Sequence, residues 1–253
     1  MPRNVLITGV SRRRGIAAAV AARLRDDGFD VVTAGWSAYD PEHHAGIDEQ
    51  TEVDIQCDLS VASEPERLIA AAAERVGPLS ALVIAHTYDP GGGLLEMTPE
   101  LIDRHMAVSV RGSLLLMRAF VERFPKGGGA GRRFPGGAAG RIVIFTSGPP
   151  QKGAIAYAAS KGALEWITYS AATELGPRGI TVNAVNPGPN QTGWMSAEIE
   201  REAGARTPLG RAGQPGDAAA LVSFLLSEDA SFINGLVLTS DGGHGIAAGS
   251  WPR

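Results

Sequence analysis

A chain of 253 residues with 44% hydrophobic positions has the size of one α/β domain and is too apolar to be disordered as a whole. Lys+Arg 23 against Asp+Glu 27 leaves a formal charge of −4, which gives no footing for a polyanion, so no nucleic-acid partner is expected. The longest apolar runs fall far below the roughly 18 residues of a membrane span, and the single Cys57 excludes an internal disulfide and points to a reducing, cytoplasmic setting.

In chain order the sequence reads as strand, Gly-rich turn, helix, strand, repeated. No signal-peptide pattern precedes the first strand, Asn4–Thr8 (NVLIT). An Ala-rich helix follows over Gly15–Asp26, ended by Gly28, and then the strand Asp30–Ala34. Next come a strand over Glu52–Cys57, a helix over Glu64–Val76, the strand Ala81–Ala85 and a long helix from Pro99 to Phe124. The strand Arg141–Thr146 (RIVIFT), a helix over Ala156–Leu175, the strand Ile180–Val185, a helix over Pro215–Leu226 and a strand at Leu236–Thr239 complete the series. Continuous rather than alternating apolar strands imply a parallel sheet covered on both faces. The predicted fold is therefore α/β: a single doubly wound Rossmann-type domain over residues 1–253, with seven parallel strands and helices on both faces. Three stretches fall outside the rhythm, the first being Ser37–Gln50, with Pro41, the pair His43–His44 and several acids. Residues 125–140 are Gly-rich and basic, which reads as a mobile surface loop. Residues 187–213 are long for a connection in a compact domain and are expected to form a substrate-side loop or lid.

The turn between the first strand and helix, Thr8-Gly9-Val10-Ser11-Arg12-Arg13-Arg14-Gly15-Ile16, lies where a parallel sheet binds ligands. Glycines admit phosphate to the backbone, and the helix N-terminus offers unpaired N–H groups. Gly9, Ser11, Gly15 and Ile16 are the cofactor candidates here, although an ordinary strand–helix turn has the same composition. The second strand ends Ala34-Gly35-Trp36, with no acid before Asp40. A ribose 2′-hydroxyl would find no carboxylate there, while a 2′-phosphate would meet Arg12 or Arg13 without repulsion. The cofactor expected is NADP(H), preferred over NAD(H), with Trp36 beside it. Asp58, followed by Leu59, is placed to accept from the adenine amino group or else to cap the next helix.

Tyr157-Ala158-Ala159-Ser160-Lys161 puts a phenol and an ammonium four apart on one helix face. A lysine one turn from a phenol favours the phenolate and can join a proton relay. Ser147, at the end of the strand before, is positioned to hold a carbonyl oxygen beside the phenol.

These residues resemble the classical short-chain dehydrogenase/reductase family over nearly the whole chain. The resemblance rests on TG…G at Thr8–Gly15, Asp58-Leu59, FTS at Phe145–Ser147, YAASK at Tyr157–Lys161, VNAVNPG at Val182–Gly188 and Asp241-Gly242-Gly243. It implies Tyr157 as the acid/base, Lys161 on the nicotinamide ribose and lowering the tyrosine pKa, and Ser147 steadying the substrate. It also implies Ala85, His86, Pro187, Gly188 and Thr192 along the cofactor. The bacterial 3-oxoacyl-thioester, polyketide and sugar ketoreductases are most similar. Their chemistry implies a small carbonyl or alcohol substrate, and their usual assembly implies a homodimer or homotetramer built on the two long helices.

The departures from the family pattern are specific. Its NNAG is Ile84-Ala85-His86-Thr87 here, and the asparagine that completes its catalytic tetrad falls at Ser109. The Gly-rich turn has either Arg13 in place of the middle glycine or two extra residues, with Ala17 replacing the last glycine; the expanded form is similar to the enoyl reductase branch, but that branch spaces its tyrosine and lysine seven apart rather than four. The segment after Ser147 is short and contains Gly148 and Pro149, which with Trp194 and Met195 are the substrate-side candidates. The adjacent His43 and His44 are poor co-ligands, and no metal site is expected. His86 is expected to be packed or hydrogen-bonded rather than catalytic. An enzyme with an unusual substrate, or a cofactor-binding subunit with little catalysis, remains as an alternative reading.

Overall fold

The computed structural model describes residues 3–38, 51–124, 139–148 and 152–247. The predicted loop at 125–140 therefore lies almost wholly outside the described residues, as do His43, His44 and Pro149.

Seven parallel strands form one sheet in the order β3-β2-β1-β4-β5-β6-β7: β1 (Asn4–Thr8), β2 (Asp30–Gly35), β3 (Ile55–Gln56), β4 (Ala81–Ile84), β5 (Gly140–Phe145), β6 (Ile180–Asn186) and β7 (Val237–Thr239). The helices are α1 (Ile16–Asp26), α2 (Glu64–Val76), α3 (Pro99–His105), α4 (Gly112–Arg123), α5 (Ile155–Leu175), α6 (Ala197–Arg206), α7 (Pro215–Leu226) and the short α8 (His244–Ala247). The central strands are buried on both faces, which explains their unbroken apolar runs. Within them the pleat still sorts side chains. Leu6, Leu82, Ile142 and Val182 pack against Leu68, Leu116 and Leu164 of α2, α4 and α5, while Val5, Ile7, Val83 and Val143 pack against Val20 and Leu24 of α1 and Val222 of α7. Among the described residues no helix is long and apolar enough to cross a membrane.

The sheet order reverses between β1 and β4, the central pair. Crossovers leave these neighbours in opposite directions, so a crevice opens beyond their carboxyl ends. Gly9 stands there with φ +79, and a Cβ on it would come within 2.5 Å of the His86 backbone nitrogen. Only glycine lets the turn press this closely on β4.

Three details differ from expectation. The third strand is a two-residue stub, because Asp54 turns away to accept from the Thr33 backbone N–H and hydroxyl. The long helix predicted over Pro99–Phe124 is interrupted by a π-helical segment, Met106–Arg111, between α3 and α4. The excursion at 187–213 contains a regular helix, α6, started by the Ser196 hydroxyl accepting from the Ile199 N–H. Short-range polarity in Ala197–Arg206 hid that helix from periodicity.

His86 ties these parts together. Its Nε2 lies 3.1 Å from the Val108 carbonyl of the π segment, which can only accept, so Nε2 carries the proton. Nδ1 is then an acceptor for the Thr8 hydroxyl at 2.8 Å. The ring is buried, and desolvation, reinforced by the Lys161 charge, pushes it down to about 3. The His86 pKa is thus depressed in the folded chain, so its stabilising effect is complete above the unfolded value near 6.5 and is lost as pH falls towards 3. Between pH 7 and pH 5 this linkage is expected to remove about 2 kcal/mol of unfolding free energy. Urea titrations at both pH values check it: His86→Asn should lower stability at pH 7 but flatten the acid slope, and an unchanged slope would contradict the assignment.

Candidate active site

One cavity of about 970 Å³ runs along the carboxyl edge of the sheet, from the β1–α1 turn to the start of α5. Its first wall is the turn itself, with Gly9, Ser11, Arg12, Gly15 and Ile16 all on the lining. The N-terminus of α1 is capped by Gly15 without a side-chain hydrogen bond, and its first turn holds no acid. Free N–H groups and a positive helix end thus face the cavity, a donor set suited to a pyrophosphate. Gly35, Trp36, Asp58, Leu59 and Ala85 continue the wall. Among the described residues no carboxylate stands at the end of β2, and Arg12 does line the cavity there, whereas Arg13 does not. Asp58 has one carboxylate oxygen engaged by the Ser60 N–H at 2.9 Å, so it braces its own turn. His86 reaches the lining, but both ring nitrogens are committed to protein partners as described above. The volume, the uncapped helix end and the missing acid fit a dinucleotide bearing a 2′-phosphate.

At the other end, Ser147 and Tyr157 meet on the cavity wall, close enough that the Ser147 hydroxyl draws the phenol down. Lys161 lies one helical turn beyond, 5.9 Å from the Tyr157 ring centroid and 5% exposed. Its Nζ donates to the Phe145 carbonyl at 2.9 Å, the last residue of β5. Burial presses this ammonium down to about 8, opposed by the Asp89 carboxylate. The phenol of Tyr157 is raised by burial, pulled back by the Ser147 hydroxyl and raised again by Asp89. Burial is the largest influence on the phenol and leaves it above its ordinary range.

Ser109 is brought near but not in. It is fully buried in the π segment, its hydroxyl without a partner and off the cavity lining. Its carbonyl accepts from the Ser113 hydroxyl at 2.6 Å. The shorter serine side chain does not bridge to Lys161, which has turned to Phe145 instead.

The far wall comes from the segment after β6. Gly188, at φ +62, leaves no room for a Cβ, which would fall 2.3 Å from the Asp241 Cβ. Asp241 is fixed in turn by the Gly243 and Gly245 N–H groups, at 2.8 and 2.7 Å. Pro187, Gly188, Thr192, Trp194 and Met195 all line the cavity, as does Gly148. Met195 is buried against Ala203 and Ala212, while Trp194 is 52% exposed and anchored by its indole N–H to the Asn190 carbonyl. The spacing of Ile199 with Trp194 and Met195 suggests a hydrophobic wall, and Ile199 does line this half; the reading from residues alone missed Tyr88, Asp89, Glu202 and Arg206, which also line it. Tyr88 and Asp89 lie beyond Ala85, His86 and Thr87 in the segment after β4, the position that the strand reversal singles out. Glu202 and Arg206 carried no signal before that helix was seen.

Comparison with known proteins agrees with this geometry. The family model described as enoyl-(acyl carrier protein) reductase matches residues 9–245. An oxidoreductase of Bacillus subtilis (strain 168), the uncharacterized YjdA, is 33% identical over 246 residues, covering 94% of this chain and 95% of that protein. The 3-oxoacyl-[acyl-carrier-protein] reductase MabA of Mycobacterium bovis is 30% identical over 250 residues, covering 96% and 93%. The crystal structure of a short chain dehydrogenase from Burkholderia cenocepacia J2315 in complex with NADP superimposes with a TM-score of 0.79 at 33% identity, over 96% of this chain and 97% of that one. With fold, cleft and sequence agreeing from end to end, the chain belongs to the short-chain dehydrogenase/reductase family of oxidoreductases.

Proposed function

We propose that this oxidoreductase uses NADP(H) to reduce a ketone to a secondary alcohol, or runs the reverse reaction, with Tyr157 as general acid/base. The observation that carries the reading is the paired hydroxyls of Ser147 and Tyr157 on the cavity wall, with Lys161 buried one turn behind. Two O–H groups converging on one point make a grip for a carbonyl oxygen, which an alkene would not use. NADPH, when bound, supplies the hydride. Tyr157 then delivers its proton to the substrate oxygen while Ser147 holds that oxygen in place. Lys161, held near 8, can take or return a proton at neutral pH and so reset Tyr157.

The α1 N-terminus and the β1–α1 turn would hold the pyrophosphate, and Arg12 the 2′-phosphate. The NADP held by the Burkholderia relative supports this choice, as does the absence of an acid among the described residues at the end of β2. Residues 187–213 form the substrate-side lid, with Trp194, Met195, Ile199 and Ala203 over the cleft. The 3-oxoacyl reductase among the relatives makes 3-oxoacyl thioesters a natural first class to test. A homo-oligomer is part of the reading: Trp166 and Tyr169 of α5 stand 74% and 41% exposed with their rings in edge contact, an apolar patch that a second copy would cover.

Three outcomes are expected. Tyr157→Phe should lower kcat by about 10²–10⁴-fold while leaving the NADPH Kd within about threefold, read by steady-state assay and fluorescence titration; unchanged turnover would sink the mechanism. In the same titration Arg12→Ala should weaken NADPH about tenfold and NADH less than about twofold, and an equal loss of both would remove Arg12 from phosphate reading. Sedimentation velocity should show an oligomer that Trp166→Asp converts to monomer, and a monomeric wild type would contradict the assembly.

A further inference from the structure

A cation beside the nucleotide end of the cleft has no part in the mechanism above. Arg104, in the last turn of α3, is exposed, and its guanidinium carbon lies 5.9 Å from the centre of the Trp36 ring and 5.7 Å from that of Tyr88. Arg104 stands just outside the cavity wall, but both rings are on it, Trp36 at the end of β2 and Tyr88 in the segment after β4. These two strands flank β1. One guanidinium therefore ties the two sides of the cleft together beyond the carboxyl end of β1.

The backbone beneath it is fixed. His105, the next residue, is fully buried, donates from Nε2 to the Pro90 carbonyl at 3.1 Å and packs edge-on to Tyr88 at 4.9 Å. Gly92 pairs with Ala154 in a short parallel bridge, its N–H donating to the Gly153 carbonyl at 2.7 Å. Residues 88–92 thus form a strap, and Tyr88 is held on it by His105 while it faces Arg104.

An aromatic ring attracts a guanidinium but brings no charge to neutralise it. Among the described residues Arg104 makes no ion pair with a carboxylate. Its neighbours are engaged elsewhere. Glu100, one turn back on α3, is held at the helix start by Thr98 and its own backbone N–H. Arg111 donates to the Ser60 carbonyl, and the Asp58 carboxylate accepts from the Ser60 N–H. The end of β2 carries no acid among the described residues, so an anion against Trp36 would meet positive charge from two elements, Arg12 on the β1–α1 turn and Arg104 on α3. The ribose that a parallel sheet binds at the end of its second strand presents its 2′ substituent there. A guanidinium suits a phosphate in that place, because its fork offers paired N–H donors and it stays charged throughout the working pH range.

We infer that Arg104 is a second reader of the 2′-phosphate of the cofactor, presented by the rings of Trp36 and Tyr88 and acting together with Arg12. The inference rests on the NADP(H) reading and adds to it a specificity residue from a helix outside the nucleotide turn.

The test is titration of the full chain with NADPH and NADH by fluorescence, and with the fragments 2′,5′-ADP and 5′-AMP by calorimetry, for wild type, Arg104→Ala and Arg104→Gln, with melting temperature as the folding control. Arg104→Ala should weaken NADPH and 2′,5′-ADP about five- to tenfold and leave NADH and 5′-AMP within about twofold. Arg104→Gln, of similar length without the charge, should show the same selective loss. The NADPH preference should also fall with added salt more steeply in wild type than in either variant. An equal loss of all four ligands, which would put Arg104 on the part that they share, overturns the inference, and so does wild-type affinity for NADPH in either variant. A preference for NADPH that survives Arg104→Ala thus fails Arg104 alone and leaves Arg12 standing, whereas a wild type with no such preference fails the NADP(H) reading and this inference with it.

Discussion

The divergence of the crossovers at β1 and β4 is the constraint on which the rest of the molecule depends. Two neighbouring parallel strands send their chains to opposite faces, and no helix can cover the gap beyond their ends. Into that gap point the N-terminus of α1, the turn with Gly9, and the segment after β4 that carries His86 and Asp89. The close approach at Gly9 and the two hydrogen bonds of His86 hold the gap at fixed width. Stability and function share these atoms: the side chain that fixes the rim of the cleft is also an acid-sensitive point of the core.

Desolvation sets the chemistry inside it. Lys161 is driven down and Tyr157 up by the same burial. A phenol held in its protonated form is ready to donate, which suits the direction of ketone reduction. The lysine, near 8, can carry either protonation state around neutral pH. Lys161 binds the Phe145 carbonyl rather than any group of the π segment, so the serine at 109 leaves the proton path from the lysine to be completed by other partners.

Most of the architecture was legible because the buried strands are continuous apolar runs and their helices start and stop at Gly, Pro and Ser. Ser147, Tyr157 and Lys161 share one cavity wall. A tyrosine and a lysine four apart are common on helices, and it was their place after a strand-end serine, within motifs that resemble a known family, that made this trio legible. Three things were not. The π segment depends on pairing between backbone groups, with His86 drawing on the Val108 carbonyl, and no composition announces it. Helix α6 is short and polar on most faces, and its place is set by Met195 packing against Ala203 and Ala212. Asp89 is a single acid in a loop, and only the strap formed by His105 and Ala154 puts it in the cleft. Arg13 shows the complementary limit: its spacing in the turn equalled that of Arg12, and the direction of the chain separated them.

The central claim is that hydride reaches a carbonyl carbon while the chain supplies the proton through Tyr157. The most direct measurement is transfer of label from NADPH deuterated at the reactive nicotinamide carbon to a 3-oxoacyl thioester or simple ketone, with the product examined by NMR. Deuterium on the carbinol carbon, with the hydroxyl proton drawn from solvent, is the result expected. Label appearing only at an alkene carbon of an enoyl thioester, or remaining on the nicotinamide with every carbonyl compound offered, would contradict it.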